Sequence, residues 1–183
     1  MKLIPGYLLF ILLGLAPLTL TAETIRDSCL KRVFTHYCLG GSIAQLLQQR
    51  PLKMEPIVNG ERIGVIYPSG RDKVYVMAYQ DHIYKVLQSH DSANQVTLQR
   101  LLRRLSKKYG TPQDLSYFPG RMRNLTAKIG AVRRGEGELI YRWQSPGSVW
   151  RIELAWTRKL GISLAYLVNE LDRQQREAEE SGL

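Results

Sequence analysis

Apolar residues alternate with polar ones over a long stretch in the middle of the chain. The alternation begins with Ile63, Val65 and Tyr67 and resumes, after a Pro-Ser-Gly turn, from Lys73 to Gln80. A period of two is typical of β-strands, because successive side chains of a strand point to opposite faces. With a further strand expected from His82 to Gln88, the pattern predicts an antiparallel meander of three short strands.

The second of these strands is apolar on both of its faces. One face is expected to carry Val74, Val76 and Ala78, and the other face is expected to carry Tyr75, Met77 and Tyr79. A sheet with apolar side chains on both faces has to bury them against other elements. We therefore expect a helix to pack on this sheet.

The clearest helical pattern runs from Asn94 to Tyr109 and ends at Gly110. Its apolar stripe has helical spacing and consists of Leu98, Leu101, Leu102, Leu105 and Tyr109. Cations repeat the same spacing on the opposite side at Arg100, Arg103, Arg104, Lys107 and Lys108. We expect the leucines to lie in the core and the cations in solvent. The alternative is an amphipathic helix that lies on a membrane surface.

A shorter helix and a second group of strands complete the prediction. Ser42 is a suitable N-cap for a helix over residues 43–50, which Pro51 ends. In the second half of the chain, a period of two predicts strands over residues 125–134, 138–144, 149–157 and 161–168. A polar segment of mixed charge, residues 169–180, is expected to form a final helix.

Together these elements predict an α+β fold in which short helices pack on antiparallel β-meander sheets. A helix followed by strands occurs twice, so residues 40–90 and 94–168 are candidates for two tandem units. The whole domain is expected to span residues 23–168, followed by a polar helix or tail over residues 169–183. A length of 183 residues is consistent with one such domain.

Gly40 and Ser42 precede the apolar spacing of the first helix, and a meander follows that helix. This arrangement is similar to periplasmic modules of the β-lactamase inhibitor protein and of small outer-membrane assembly lipoproteins. The matching residues are Gly40, Ser42 and the apolar positions after them, and the resemblance covers about a third of the chain. It implies a binding module rather than an enzyme.

The first 22 residues have the features of a secretory signal peptide. Lys2 precedes an apolar run over residues 8–16, and a short stretch of small and apolar residues leads to Ala22. We expect cleavage after Ala22 and a periplasmic or secreted mature protein. Because Lys2 alone makes the start basic and Leu20 is large for its position before the cut, an uncleaved membrane anchor is the alternative. No later segment is predicted to span a membrane.

The chain has two cysteines, Cys29 and Cys38. In an oxidising compartment an even number of cysteines favours a disulfide, and we expect these two residues to be bonded. The alternative is a metal or catalytic site formed by Cys29, His36 and Cys38, but this spacing is not that of a structural zinc site. A redox-active C-x-x-C motif is absent.

The unusual feature of the composition is its charge. An apolar share of 44% and a charged share of 23% exclude a collagen-like or wholly disordered chain, but 26 Lys and Arg residues outnumber 16 Asp and Glu residues. Between Leu98 and Arg134, ten basic residues accompany a single acid, Asp114. Such asymmetry favours an anionic partner, and the alternative is a solvated face without one. The residues predicted to bind the partner are Arg100, Arg103, Arg104, Lys107, Lys108, Arg121 and Arg123.

Common catalytic and nucleotide-binding motifs, such as G-x-S-x-G, H-E-x-x-H and G-x-G-x-x-G, are absent from the sequence. Two weaker alternatives are a metal site formed by Asp81-His82 and His90-Asp91, with His90 in a loop, and a carboxylate pair of Glu136 and Glu138. Solvated turn residues explain both sets more simply. We therefore expect no catalytic residue, no cofactor and no metal.

Three functions from different classes fit these observations. We favour an exported, non-enzymatic binding or envelope-assembly protein whose basic helix face binds an acidic envelope protein. Aromatic residues of the sheet are expected to assist it at Tyr75, Tyr79, Tyr84, Tyr141 and Trp143. The alternatives are a binder of anionic lipid head groups or cell-wall polymer, and an enzyme whose site is assembled from dispersed residues. The charge would also suit nucleic acid, but export makes that partner unlikely.

Overall fold

The computed structural model describes residues 29–52, 54–120 and 122–181. In chain order its elements are β1 (Lys31–Val33), β2 (Tyr37–Leu39), α1 (Ile43–Gln49), β3 (Ile57–Asn59), β4 (Arg62–Ser69), β5 (Asp72–Tyr79), β6 (His82–His90), α2 (Gln95–Tyr109), β7 (Gln113–Asp114), α3 (Leu125–Arg134), β8 (Leu139–Trp143), β9 (Trp150–Thr157), β10 (Gly161–Val168) and α4 (Asn169–Ser181). The predicted signal peptide lies outside the described residues. In the part of the chain that is described, no helix is long and apolar enough to cross a membrane.

Strands β3 to β10 form one antiparallel sheet in the order β3-β4-β5-β6-β10-β9-β8-β7, and β1 and β2 form a separate hairpin. The pairing of β6 with β10 joins the two halves of the sheet, with Ile162 opposite His90 and Tyr166 opposite Val86. Each of the two candidate units therefore contributes one half of a continuous sheet. The predicted α+β class, with helices packed on antiparallel meanders, is confirmed.

The predicted alternation is confirmed in the central strands. In β5, Val74, Val76 and Ala78 are buried, whereas the tyrosines and the methionine between them are half-buried. The predicted helix after Ser42 is also confirmed, since the Ser42 hydroxyl accepts a hydrogen bond of 3.1 Å from the Gln45 amide. Local pattern and capping chemistry thus determine these elements.

The strand predicted over residues 125–134 is wrong, because this segment is the helix α3. The Asn124 side chain accepts a hydrogen bond of 2.7 Å from the Ala127 amide and so caps the start of the helix. Gly135, with a φ of 81°, ends it in the left-handed conformation that glycine adopts without strain. The buried residues of α3 are Ile129, Ala131 and Val132.

One face of the sheet is covered in two places. The β1–β2 hairpin and α1 cover the first half, where Leu39 and Ile43 pack with Val76. Helices α2 and α3 cover the second half, where Leu98 and Val132 pack in a second cluster. Because the two coverings rest on different halves of the sheet, the central strands β6 and β10 lie at the boundary between them.

Helix α4 lies on the opposite face of the sheet. Arg151 of β9 points away from the core side chain of Ile152, since neighbouring residues of a strand face opposite sides. Asp172 of α4 accepts a hydrogen bond of 2.6 Å from Arg151, and α4 contacts both β6 and β10. The final helix is thus packed against the centre of the sheet.

Candidate functional site

Helix α2 is held firmly against the second half of the sheet. The Asn94 side chain accepts a hydrogen bond of 2.9 Å from the Thr97 amide at its start, and the Trp143 indole donates one of 2.9 Å to the Gly110 carbonyl at its end. Leu98 and Leu105 are buried in the core. The prediction that the leucine stripe packs in the core is therefore confirmed for Leu98 and Leu105, whereas Leu101 and Leu102 are half-buried.

The five cations predicted for the opposite side of α2 are all exposed. Among the residues that the structure describes, none of the five forms an ion pair with a carboxylate. Several arginines elsewhere are paired, such as Arg134 with Glu136, Arg142 with Glu153 and Arg173 with Glu177. Helix α2 therefore carries positive charge that nothing in the described fold neutralises.

A groove of about 520 Å³ lies between α2 and the central strands β6 and β10. We call it the central groove. It is lined by Phe34, Gln88, His90, Arg100, Leu101, Arg104, Leu105, Lys108, Tyr109, Leu164 and Tyr166. The predicted basic face thus divides in two, because Arg100, Arg104 and Lys108 form the rim of the groove whereas Arg103 and Lys107 do not line it.

In the floor of the central groove, His90 of β6 is hydrogen-bonded to Asp72 of the neighbouring strand β5. His90 Nδ1 lies 2.8 Å from Asp72 Oδ2, which also accepts a hydrogen bond of 2.8 Å from the Gln88 amide. The other carboxylate oxygen of Asp72 accepts a hydrogen bond of 3.1 Å from the backbone N–H of Asp91. Burial alone would raise the pKa of Asp72, but these hydrogen bonds and the charge of His90 outweigh it and lower that pKa.

His90 differs from its prediction, because it is the last residue of β6 and not part of a loop. His82 begins the same strand, so the two histidines lie at opposite ends of β6 and the metal site that would have brought them together is excluded. With Nδ1 bonded to Asp72, the Nε2 atom of His90 is buried and has no hydrogen-bond partner in the described part of the chain.

Aromatic residues form one wall of the central groove. The Phe34 and Tyr166 rings meet edge to face with 5.6 Å between centroids, and Trp150 packs against Tyr166 at 6.3 Å. Burial and the neighbouring Tyr109 raise the pKa of Tyr166, and the charge of Arg104 opposes that rise. Phe34 has a φ of 44°, an unusual conformation for a bulky residue, which the β1–β2 turn imposes.

The disulfide between Cys29 and Cys38 fixes the hairpin that carries Phe34. This bond confirms the predicted pairing. It also excludes the alternative metal or catalytic site at Cys29, His36 and Cys38, since neither sulfur is a free thiolate. The disulfide therefore contributes to the groove indirectly, through the position of the β1–β2 turn.

Several other predicted residues lie away from the central groove. Tyr84 and Trp143 are buried, so they are not available to assist binding as predicted, and burial raises the pKa of Tyr84 to about 12. Three other aromatic residues that were predicted to assist binding are half-buried and do not line the groove, namely Tyr75, Tyr79 and Tyr141. Arg123 is exposed in the loop before α3 and does not line the groove, and Arg121 lies outside the described residues.

The alternative of a carboxylate pair at Glu136 and Glu138 is also not formed as a site. Arg134 binds Glu136 with two hydrogen bonds of 2.8 and 2.7 Å. This contact lowers the pKa of Glu136, with the hydrogen bond from Arg134 as the main cause. Glu136 is therefore occupied by a surface ion pair.

Sequence reasoning did not identify Phe34, Gln88, His90 and Tyr166 as groove residues. Gln88 and Tyr166 meet only because β6 pairs with β10, which lies more than seventy residues further along the chain. The one local signal was the alternation itself, since it places Gln88 and His90 on the same face of β6.

No protein-family model and no curated protein sequence matches this chain. Among solved structures, it is similar to a cysteine-rich secretory protein from Staphylococcus aureus, with 9% sequence identity and a TM-score of 0.44. The match covers 79% of this chain and 48% of that protein, so it spans about half of that protein's length.

Proposed function

We propose that the protein is a non-enzymatic binding protein that holds an extended acidic segment of another protein in the central groove. The observation that carries this proposal is the row of Arg100, Arg104 and Lys108 along an apolar and aromatic groove, without carboxylate partners in the described chain. Unpaired cations beside an apolar floor favour a ligand that offers both negative charge and apolar side chains.

The spacing of the three cations favours an extended segment. Residues four apart on a helix are separated by about 6 Å along the axis. In an extended chain, side chains on the same face recur about every 6.8 Å. An acidic residue at every second position of the ligand would therefore meet Arg100, Arg104 and Lys108 in turn. The residues between them would face Leu164 and Tyr166.

The lining of the groove favours binding over catalysis. His90 and Asp72 form a pair of the kind that orients a general base. The described lining contains no Ser, Thr or Cys side chain that such a base could activate. The other lining residues offer cations, aromatic rings, leucines and the Gln88 side-chain amide. Arginine and tyrosine are enriched at recognition surfaces.

We further propose that the protein is exported and that its partner belongs to the cell envelope. The Cys29–Cys38 disulfide supports export, because such bonds persist mainly in oxidising compartments. The second candidate is binding to anionic lipid head groups or cell-wall polymer. The exposure of all five cations on α2 favours it, since a flat anionic surface would use Arg103 and Lys107 as well.

A pair of matched variants separates these functions. R100E/R104E reverses two charges on the rim of the groove, and R103E/K107E reverses two charges of the same helix outside it. The probe is a fluorescent peptide of alternating glutamate and leucine, compared with a block peptide of the same composition and with phosphatidylglycerol vesicles. Surface charges contribute little to stability, so both variants should melt like the wild type.

We expect the alternating peptide to bind more tightly than the block peptide and to bind less tightly as salt is added. R100E/R104E should abolish this binding and R103E/K107E should retain it. Equal losses in both variants, together with binding to vesicles, would assign the helix to a lipid surface. Unchanged peptide binding in R100E/R104E would show that the rim is only a solubilising face.

A further inference from the structure

A second cavity lies beside the edge of β4, away from the central groove. Strand β3 pairs only with residues 62–64 of β4, so the rest of that edge has no strand beside it in the described sheet. A cavity of about 410 Å³ lies here, lined by residues of β4 and by residues that follow α1, among them Pro51, Met54, Ile66 and Pro68. Ligand-binding cavities have this size and this mainly apolar lining.

Arg50 is the charged residue that is fixed in this cavity. Its guanidinium carbon lies 5.2 Å from the Tyr37 ring centroid and 5.1 Å from that of Tyr67. The Tyr67 hydroxyl donates a hydrogen bond of 2.9 Å to the Arg50 carbonyl, and both tyrosines are buried. The two rings therefore hold the guanidinium in place before any ligand arrives.

The guanidinium of Arg50 lacks an anionic partner. It forms no ion pair with any carboxylate of the described chain, and its Nη1 atom is buried without a hydrogen-bond partner there. A buried donor that is left unbonded costs free energy, more so when it is charged. Arg50 lines the cavity, so a ligand acceptor that reached this atom would recover that cost.

We propose that this cavity binds a molecule that carries a single carboxylate on an apolar body. The planar fork of an arginine matches the two oxygens of a carboxylate, and the apolar lining matches the rest of the molecule. A phosphate or sulfate group would need more donors than the described part of the lining offers. Among the described lining residues, Lys73 is the one other charged donor, the two prolines have no N–H group, and the Tyr67 hydroxyl is already bonded.

Titration calorimetry with simple amphiphiles tests this site on the full chain. The probes are decanoate, decyl sulfate, decanol, and an acetylated trileucine peptide with either a free or an amidated C-terminus. We expect binding of decanoate or the free-acid peptide, at least tenfold tighter than decanol or the amidated peptide. Preference for decanoate would assign the site to fatty acids, and preference for the free-acid peptide to chain termini.

The variant R50Q removes the arginine charge inside the cavity. The variant R71Q removes an arginine charge outside it. R50Q should weaken carboxylate binding roughly tenfold or more, and R71Q, at an exposed residue that does not line the cavity, should leave it unchanged. M54E and M54K alter a side chain that is 66% exposed at the cavity, so the fold should tolerate both. M54E should weaken decanoate binding, and M54K should preserve it.

The proposal is overturned if decanol binds as tightly as decanoate, if decyl sulfate binds more tightly than either carboxylate, or if no probe binds. It is also overturned if M54E and M54K bind decanoate equally well. The Met54 variants leave Arg50 and its two tyrosines intact, so they remain informative even if R50Q fails to fold.

Discussion

The Arg151 guanidinium of β9 donates a hydrogen bond of 2.6 Å to the carboxylate of Asp172 on α4, and the two side chains are only 8% and 10% exposed. Arg151 also binds Glu153 at 2.9 Å, and Arg176 reaches Asp172 at 3.1 Å. The pair therefore joins the final helix to the sheet through a small buried network. Loss of one partner would leave a charge buried beside an incomplete set of acceptors.

The substitution D172N should lower the free energy of unfolding by about 3 kcal/mol, because it leaves the buried Arg151 with one neutral acceptor in place of a carboxylate. Urea unfolding followed by circular dichroism measures this loss. The control is E177Q, which breaks the exposed pair of Glu177 with Arg173 on the same helix and should leave the midpoint unchanged. A normal midpoint for D172N would mean that α4 does not depend on this pair.

Burial along α2 predicts unequal effects of truncating two leucines. Leu105 is 6% exposed in the core, whereas Leu101 is half-buried beside the central groove. L105A should cost about 2 to 5 kcal/mol, as expected for a cavity in a packed core. L101A should cost about 1 kcal/mol, within the range of ordinary substitutions. V96A, at a residue 70% exposed on the same helix, is the control, and equal losses for L101A and L105A would contradict this assignment.

Three helices, α1, α2 and α4, and the six longer strands could be predicted from the sequence because their signals are local. Alternating side chains identify β5, and a cap such as Asn94 together with a leucine stripe identifies α2. In α3 the same reasoning failed, since apolar residues at every second position in the segment after Asn124 imitate a strand. Asn124 caps the start of this segment and Gly135 caps its end, so the segment forms a helix. These two residues are the sequence signal that distinguishes the helix from a strand.

The central groove could be predicted only in part. The cations of α2 follow from helical periodicity, and so does their exposure. The way in which α2 lies across the sheet decides which of its cations line the groove. Arg100, Arg104 and Lys108 line it, and Arg103 does not. The floor depends on the pairing of β6 with β10, and a period-two pattern does not specify which strand pairs with which.

The half-buried carboxylates of Glu153 and Asp72 predict that the protein loses stability in acid. Burial alone would raise the pKa of Glu153, but hydrogen bonds and charges from Arg151 and Arg142 outweigh it and lower that pKa, and the pKa of Asp72 is lowered too. A carboxyl group with a lowered folded-state pKa stabilises the fold above its unfolded pKa and loses this effect as the pH falls. The free energy of unfolding should therefore be constant near neutral pH and decrease below about pH 5.

The variant E153Q should be less stable than the wild type at neutral pH, and the difference should narrow as the pH falls below about 4. E180Q, which removes an exposed carboxylate of α4, should follow the wild-type profile throughout. Chemical unfolding at a series of pH values measures these profiles. A constant difference between E153Q and the wild type across the acid range would show that Glu153 contributes packing rather than charge.

The left-handed backbone at Phe34 predicts a separation of stability from binding. Phe34 and Thr35 have φ values of 44° and 65°, which asparagine adopts at lower cost than either residue. F34N should relieve about 1 kcal/mol of backbone strain, but it also loses the edge-to-face contact with Tyr166 and the packing of the Phe34 ring against both core clusters. Its melting temperature should therefore fall only moderately, because the relief of strain offsets part of this loss, whereas binding of the alternating acidic peptide should weaken because the groove loses part of its aromatic wall.

T35N is the matched control, because Thr35 has the same kind of backbone conformation but is exposed and does not line the central groove. T35N should melt at a higher temperature than the wild type and bind the peptide equally well. Differential scanning calorimetry and peptide titration on the same samples give both quantities. If F34N lost several kcal/mol of stability while T35N gained, Phe34 would belong to the core that supports the β1–β2 hairpin. Its ring would then contribute to the groove only by holding that hairpin in place.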